Sequence, residues 1–260
     1  MKRITSLVAA AASLLATSAF AADLAPRTYT KAPAPVVAVY DWTGFYIGGN
    51  IGYSWGRSSD TSRITDAAGA VTTTSGTSNL DGVVGGGQIG YNWQMQGWVW
   101  GLEADIQGTD EKGSRAFAYV PTGFNIAVLA PVPVALTQKI DWFGTVRGRA
   151  GVLVSPTVLL YATGGLAYGA ANTSEVIGIL PGFSSSTTNV GWTVGAGIEG
   201  VISGNWTAKL EYLYVDLGTV SGTFTAPAGA PTSTFSSHIT DNVLRVGVNY
   251  KFGGPVVARY

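Results

Sequence analysis

Apolar and polar side chains alternate in the segment that starts at Trp42. Between positions 44 and 55, one face carries Phe45, Ile47, Ile51, Tyr53 and Trp55. The other face carries Tyr46, Asn50, Ser54 and glycines. A period of two residues is typical of a β-strand, because successive side chains of a strand point to opposite sides. The segment therefore predicts a strand with one apolar and one polar face.

The same alternation returns in seven further segments of the chain. They span residues 83–93, 98–107, 139–153, 158–169, 190–201, 206–215 and 240–252. Each of the eight segments has about ten residues or more, which is enough for a tilted strand to cross a bilayer.

The connections between these segments alternate in length. Three are tight turns, at residues 94–97, 155–157 and 203–205, and four are long, at residues 56–80, 108–137, 170–189 and 217–239. Short turns on one side and long loops on the other are the layout of an outer-membrane barrel. We therefore predict an all-β fold, an eight-stranded antiparallel transmembrane β-barrel with four long extracellular loops, three short periplasmic turns and both ends in the periplasm.

Two alternatives stay open at the level of the sequence. Residues 117–136 are apolar enough to form an extra hairpin, which would give ten strands, although Pro121, Pro131 and Pro133 favour a hairpin outside the membrane. A soluble lipocalin-like barrel would also show alternation, but it would turn its apolar faces inward and its charges outward.

Charged residues within the predicted strands all lie on the face opposite the apolar one. A charge that faces lipid near the bilayer midplane costs about 2–4 kcal/mol, so this face is predicted to line the lumen. The predicted lumen charge network consists of Glu103, Asp105, Asp141, Arg147, Arg149, Glu199, Lys209, Glu211, Arg245 and Lys251. Inward glycines are expected to make room for these long side chains; they are Gly48, Gly52, Gly86 and Gly90.

Aromatic residues cluster near the ends of the predicted strands, as in the two interfacial girdles of a membrane barrel. The residues predicted for the periplasmic girdle are Trp42, Tyr91, Trp93, Trp98, Trp100, Trp206, Tyr250 and Phe252. Those predicted for the extracellular girdle are Tyr53, Trp55, Trp142, Tyr168, Trp192 and Tyr214.

The N-terminal segment differs from the rest of the chain. Lys2 and Arg3 precede a short apolar stretch, and Ala-Phe-Ala at positions 19–21 is a typical cleavage site. Residues 1–21 are therefore predicted to be a cleaved signal peptide. Residues 22–41, rich in proline, are predicted to be a periplasmic leader, residues 42–252 the barrel and residues 253–260 a periplasmic tail. The predicted location is the outer membrane of a Gram-negative cell.

The composition favours a membrane barrel over a soluble enzyme. Only 12% of the 260 residues are charged, about half the share found in soluble domains, and 36 are glycine. Beyond the signal peptide, no apolar stretch approaches the roughly 20 residues of a membrane helix. The formal net charge is zero, which gives no electrostatic reason to expect a nucleic-acid partner.

Candidate chemistry is sparse. The single histidine, His238, lies near Ser236, Ser237 and Asp241, residue types used in nucleophilic catalysis, but a solvated loop histidine is the simpler interpretation. The chain has no cysteine, so a cysteine–histidine metal cluster is not expected. We predict no enzymatic activity, no catalytic, cofactor-binding or metal-binding residues and no cofactor.

Four motifs resemble one known family. They are WTGFYIGGN at 42–50, DWFGTVRGR at 141–149, LEYLYVDLG at 210–218 and RVGVNYKF at 245–252. Along the whole mature chain, the sequence is similar to the small alphaproteobacterial outer-membrane proteins of the Omp25/Omp31 type, an outer-membrane immunogenic and porin-like family. The resemblance implies an eight-stranded, surface-exposed barrel, and some members are described as hemin-binding or porin-like. One departure concerns the last strand, which usually ends such chains on an aromatic residue, whereas here residues 253–260 follow Phe252.

These observations favour a structural, surface-exposed outer-membrane barrel with a charge-filled lumen. An alternative is a narrow diffusion porin, and a minor alternative is binding of hemin or another ligand through the extracellular loops. The expected partners are outer-membrane lipid and lipopolysaccharide, the barrel-assembly machinery through the last strand, and host or surface ligands at the loops.

Overall fold

Antiparallel β-strands account for most of the described residues. The computed structural model describes residues 40–66, 69–119, 131–178, 182–224 and 232–253. The predicted signal peptide, residues 22–39 of the leader and residues 254–260 of the tail lie outside them. The strands are β1 (Gly44–Thr65), β2 (Val71–Met95), β3 (Trp98–Thr109), β4 (Lys112–Tyr119), β5 (Val132–Ser155), β6 (Val158–Ile177), β7 (Phe183–Ser203), β8 (Trp206–Phe224) and β9 (Thr232–Lys251). In these ranges, no helix is long and apolar enough to cross a membrane.

The strands close into a ring, because β1 pairs with β2 on one side and with β9 on the other. Strands β3 and β4 are separated by only two residues, and both pair with β5. They act as one interrupted strand, so the nine segments fill eight positions of the ring. The predicted eight-stranded antiparallel barrel is thereby confirmed.

The connections predicted to be long loops are largely strand. Strand β1 continues to Thr65 and β2 starts at Val71, so most of the segment 56–80 is a paired hairpin. The hydrophobic alternation stops there because both faces are polar beyond the membrane, while the abundant Thr and Ser still favour extended pairing. In the segment 117–136, the described residues 117–119 and 132–136 pair with each other as an extension of β4 and β5.

Burial in this molecule is inverted relative to a soluble protein. Ile51 and Leu166 each expose 59% of their surface, whereas Arg147 and Arg245 each expose 1%. Exposed aliphatic side chains suit lipid, and buried guanidinium groups need partners inside the ring. This arrangement excludes the lipocalin-like alternative.

The lumen contains two layers above its periplasmic end. Polar and charged side chains fill the half nearest the tight turns. Further toward the long hairpins, a cluster of buried apolar side chains lies in the lumen together with buried polar ones such as Ser54, Gln107 and Asp241. The apolar members of this upper layer include Leu80, Val84, Ile140, Phe143, Leu213, Val215 and Val243.

The barrel lumen as candidate functional site

Eight charged side chains form a balanced cluster in the periplasmic half of the lumen. The cluster, called here the lumen ion network, contains four carboxylates and four cations. They are Glu103, Asp105, Glu199, Glu211, Arg147, Arg149, Lys209 and Arg245. All eight were predicted from the alternation of the strands.

Glu103 on β3 is the centre of the lumen ion network. Its carboxylate lies 2.5 Å from Arg147 Nη2 and 2.9 Å from Lys209 Nζ. Tyr46 donates its hydroxyl to the same carboxylate at 2.7 Å. Lys209 and Tyr46 reach Glu103 from strands on other sides of the ring, so Glu103 ties the barrel together across the lumen.

Arg147 and Arg245 share a second carboxylate. Their Nη2 atoms lie 2.9 and 2.8 Å from Asp105 Oδ2. Arg245 also pairs with Glu211 at 2.5 Å, and Tyr161 donates its hydroxyl to Glu211 at 2.8 Å. Each buried charge therefore has at least one opposite charge and a further polar partner, which is the condition for keeping it out of water.

Arg149 occupies the lower part of the network, between two aromatic rings. Its guanidinium lies 4.9 Å from the Tyr46 ring centre and 5.2 Å from the Tyr161 ring centre. It pairs with Glu199 at 2.9 Å, and Asn249 donates to Glu199 at 2.9 Å. Stacking of this kind suits arginine, whose planar cation is weakly hydrated.

Two residues predicted for the lumen network lie elsewhere. Asp141 is partly exposed outside the lumen, where it pairs with Lys139, because an irregularity in the β5–β6 pairing between Ile140 and Trp142 shifts the phase of the strand. Lys251 is buried, but its Nζ donates to the backbone carbonyls of Asp41 and Thr43 at 2.5 and 3.2 Å. It binds the backbone of the segment that precedes β1 and does not join the ion network.

Trp42 was predicted for the periplasmic aromatic girdle, and this prediction is wrong. Its side chain is 1% exposed and packs beneath the lumen against Val99, Leu159 and Tyr161. Its indole Nε1 donates to the carbonyl of Pro156 at 3.2 Å. The residue precedes β1, so strand periodicity does not determine where its side chain points.

The other predicted girdle residues lie on the outer surface. Several form ring pairs along or between strands, such as Trp142 with Tyr168 at 6.0 Å and Trp206 with Tyr250 at 5.0 Å. Trp192 and Tyr214 pair at 5.4 Å. The part of each strand between the two rows of aromatics is the part that lies in lipid.

Four buried carboxyl groups of the upper lumen are missing from the predicted lumen charge network. They are Asp60, Glu111, Glu175 and Asp241. Asp60, Glu111 and Glu175 lie in segments predicted to be loops, where no strand phase was assigned, whereas Asp241 lies within the predicted strand 240–252. Asp60 is surrounded by donors, for it accepts hydrogen bonds from Ser78 at 2.8 Å and from Gln138 at 3.0 Å. Glu111 lies in the break between β3 and β4.

Glu175 gives a testable pH dependence. It lies seven residues beyond Tyr168, outside the membrane, and burial raises the pKa of its carboxyl above the usual value, although Ser233 donates to it at 3.2 Å. A raised pKa means that the folded state binds the proton more tightly than the unfolded state. The stability of the folded state therefore falls as the pH rises and the Glu175 carboxyl loses its proton. Glu175→Gln should therefore stabilise the extracellular strands at pH 7 and have little effect below about pH 4.

Hydrogen exchange of β6 and β9 at the two pH values measures this effect. Ser233→Ala is the matched variant, since it removes a donor to the carboxylate and should destabilise the strands at pH 7. A Glu175→Gln protein that exchanges faster than the wild type at pH 7 would contradict the prediction.

His238 does not contact Ser237 or Asp241, which are close to it in sequence. Its side chain is 47% exposed on the outer wall, 3.5 Å from Asp216 and 3.3 Å from Thr219. Ser237 and Asp241 are buried inside the ring, because they belong to the opposite face of β9. In the described part of the chain, no group of three or more His, Cys, Asp or Glu residues is arranged to hold a metal ion.

A closed ring of strands with an apolar outer wall, two aromatic girdles and a charged interior defines an integral outer-membrane β-barrel protein. Residues 7–252 match the outer membrane protein beta-barrel domain family. The chain belongs to this family, and the outer membrane is its location.

Relatives extend the match along the chain. A 31 kDa outer-membrane immunogenic protein of Brucella melitensis biotype 1 is 37% identical over 257 residues, covering 95% of this chain and 98% of the relative. A 25 kDa outer-membrane immunogenic protein of Brucella abortus biovar 1 is 29% identical, covering 97% and 100%. The crystal structure of the outer membrane protein OprG from Pseudomonas aeruginosa covers 84% of this chain and 100% of that chain, with 13% identity and a TM-score of 0.48. The Omp25/Omp31 resemblance is confirmed.

Proposed function

We propose that this protein is a structural, surface-exposed barrel whose lumen is closed to solutes. The observation that supports the proposal is the lumen ion network, in which every paired side chain is 3% exposed or less. A water-filled channel would leave such side chains accessible. Here the charges contact one another across the ring instead.

Two further barriers support the same proposal. Trp42 covers the lumen from the periplasmic side, and its backbone N–H donates to the side chain of Gln94 at 2.8 Å. The upper layer, on the extracellular side of the network, is also filled by buried side chains, with an apolar cluster as its largest part. An ion would therefore meet buried side chains at three successive levels of the lumen.

The competing proposal is a narrow diffusion porin, which would need open space beside the inward glycines. A Cβ atom on Gly48 would collide with Asn249 and Gln88, and one on Gly90 would collide with the Tyr46 hydroxyl. The space at these glycines is thus filled by lumen side chains. The glycines allow the interior to be packed tightly, which favours a closed barrel over a water path.

Single-channel recording tests the proposal. Purified full-length protein in planar bilayers should give no large, stable conductance steps, and such steps would refute a closed barrel. If the barrel were a pore, Arg147→Ala or Glu103→Ala would enlarge its conductance. Asp141→Asn is the control, because Asp141 lies outside the lumen.

We also infer that the barrel has no enzymatic activity. Of the residues near His238 in sequence, Ser237 and Asp241 lie on the opposite side of the wall, and among the described residues Ser236 makes no hydrogen bond to His238. Incubating the purified protein with general esterase and peptide substrates should give no turnover above that of a His238→Ala variant. Turnover that is lost in His238→Ala would overturn this inference.

A further inference from the structure

The outer wall carries a polar pocket at the extracellular edge of the membrane. The pocket has a volume of about 620 Å³ and lies across β2, β1 and β9. Its side chains form two cross-strand rows. The lower row is Asp81, Trp55 and Asn242, and the upper row is Asn79, Arg57 and Thr240.

The lower row is held in place by hydrogen bonds. Tyr53 donates its hydroxyl to Asp81 Oδ2 at 2.7 Å. The Asn242 side chain donates to the backbone carbonyl of Trp55 at 3.0 Å and accepts from the Tyr212 hydroxyl at 2.6 Å. These bonds fix one side of the pocket before any ligand arrives, which lowers the entropy cost of binding.

The upper row has unused hydrogen-bonding capacity. Within the described ranges, the exposed Arg57 guanidinium makes no ion pair and no hydrogen bond, and the side chains of Asn79 and Thr240 make no hydrogen bond. An arginine that lies between an amide and a hydroxyl, all unpaired and facing outward, can bind an anionic group bidentately.

The position of the pocket restricts what can reach it. Trp55 and Tyr53 belong to the extracellular girdle, and aromatic girdles lie at the level of the lipid headgroups. Below the pocket, the outer wall is apolar, with Ile51 and Leu244 exposed. A molecule in this pocket therefore has its polar part beside Arg57 and any acyl chains along the lipid-facing strands.

We propose that the pocket binds the phosphorylated sugar headgroup of an outer-leaflet glycolipid. Arg57 binds the phosphate, Asn79 and Thr240 bind the sugar hydroxyls, and Trp55 lines the side toward the acyl chains. The carboxylate of Asp81 repels a bare phosphate but accepts hydrogen bonds from sugar hydroxyls. A sugar that carries a phosphate satisfies both groups.

Binding of lipid A by the purified full-length protein tests the proposal. Lipid A is a diphosphorylated glucosamine disaccharide with acyl chains, and titration into detergent-solubilised protein gives its Kd. Arg57→Gln should weaken binding about tenfold, the loss expected for charge-assisted hydrogen bonds. Arg63→Gln is the matched control, since Arg63 is an exposed arginine on the same strand but lies outside the pocket. It should leave the Kd within about twofold.

Two further measurements separate the headgroup from other causes of binding. Soluble glucosamine 6-phosphate should compete with lipid A, and phosphatidylglycerol, which is anionic but has no sugar ring, should bind more weakly. Equal losses in Arg57→Gln and Arg63→Gln would overturn the proposal, because they would indicate unspecific charge attraction. Absence of competition, or equal affinity for phosphatidylglycerol, would also overturn it. None of these results depends on whether the lumen conducts.

Discussion

Replacing Glu103 by Gln is expected to destabilise the folded barrel by about 3–5 kcal/mol, the usual loss when one partner of a buried ion pair is removed. The carboxylate contacts Arg147 and Lys209 directly and accepts the Tyr46 hydroxyl. With the neutral amide, four cations would face three carboxylates, and all of these side chains are nearly fully buried. The excess charge would be uncompensated in a buried site.

A double-mutant cycle with Lys209→Met distinguishes this cause from a general loss of packing. Unfolding in urea, followed by tryptophan fluorescence in lipid vesicles, gives the free energy of unfolding for each variant. The double variant restores charge balance, so it should lose less than the sum of the two single variants. Asp141→Asn serves as the control and should lose under about 1 kcal/mol, because its ion pair is exposed. Additive losses in the cycle would contradict a coupled network.

Replacing Trp42 by Ala is expected to cost about 3–5 kcal/mol, as for other large buried side chains. The indole packs against Val99, Leu159 and Tyr161, and its ring nitrogen donates to the turn at Pro156. The substitution removes both the apolar contact and the bond that joins the incoming chain to this turn. Trp98→Ala should cost less, because Trp98 is 53% exposed on the lipid side.

The absence of cysteine makes a local test of Trp42 simple. An Asp41→Cys variant can be labelled with a water-soluble maleimide, and the labelling rate reports how tightly residues 40–42 pack under the lumen. The rate should rise when Trp42→Ala is added and should stay unchanged when Trp98→Ala is added. The proposed closed lumen predicts no conductance in either variant, because the ion network above Trp42 is intact. An unchanged labelling rate in Trp42→Ala would show that Trp42 does not fix this segment.

Strand periodicity predicted much of the fold and most of the lumen, and its failures have physical causes. Alternation assigns a side chain to one face only while the pairing is regular, so the irregularity beside Asp141 moved that residue outside. Trp42 precedes the first strand, and its position depends on contacts with distant turns. Lys251 lies at the end of β9, beside the segment that precedes β1. Its ammonium group binds backbone carbonyls of that segment in place of a carboxylate.

The extracellular half was harder to predict because the lipid is absent there. Outside the membrane, Thr and Ser occupy both faces of the strands, and the contrast between faces disappears although the strands continue. Asp60 was missed for this reason. Its environment is a set of hydroxyl and amide donors from three other strands as well as its own, and no local pattern brings those groups together.

The strands continue above the membrane, and their length sets how far the hairpin ends lie from the membrane surface. Strand β1 runs ten residues past Trp55, to Thr65. At about 3.3 Å per residue and a tilt near 40°, this raises the hairpin ends by roughly 25 Å above the girdle. Above the girdle, the strands stay paired with their neighbours. An antibody that binds the outer face of this region therefore recognises residues from several neighbouring strands. Linear peptides copied from one strand would reproduce only part of such an epitope.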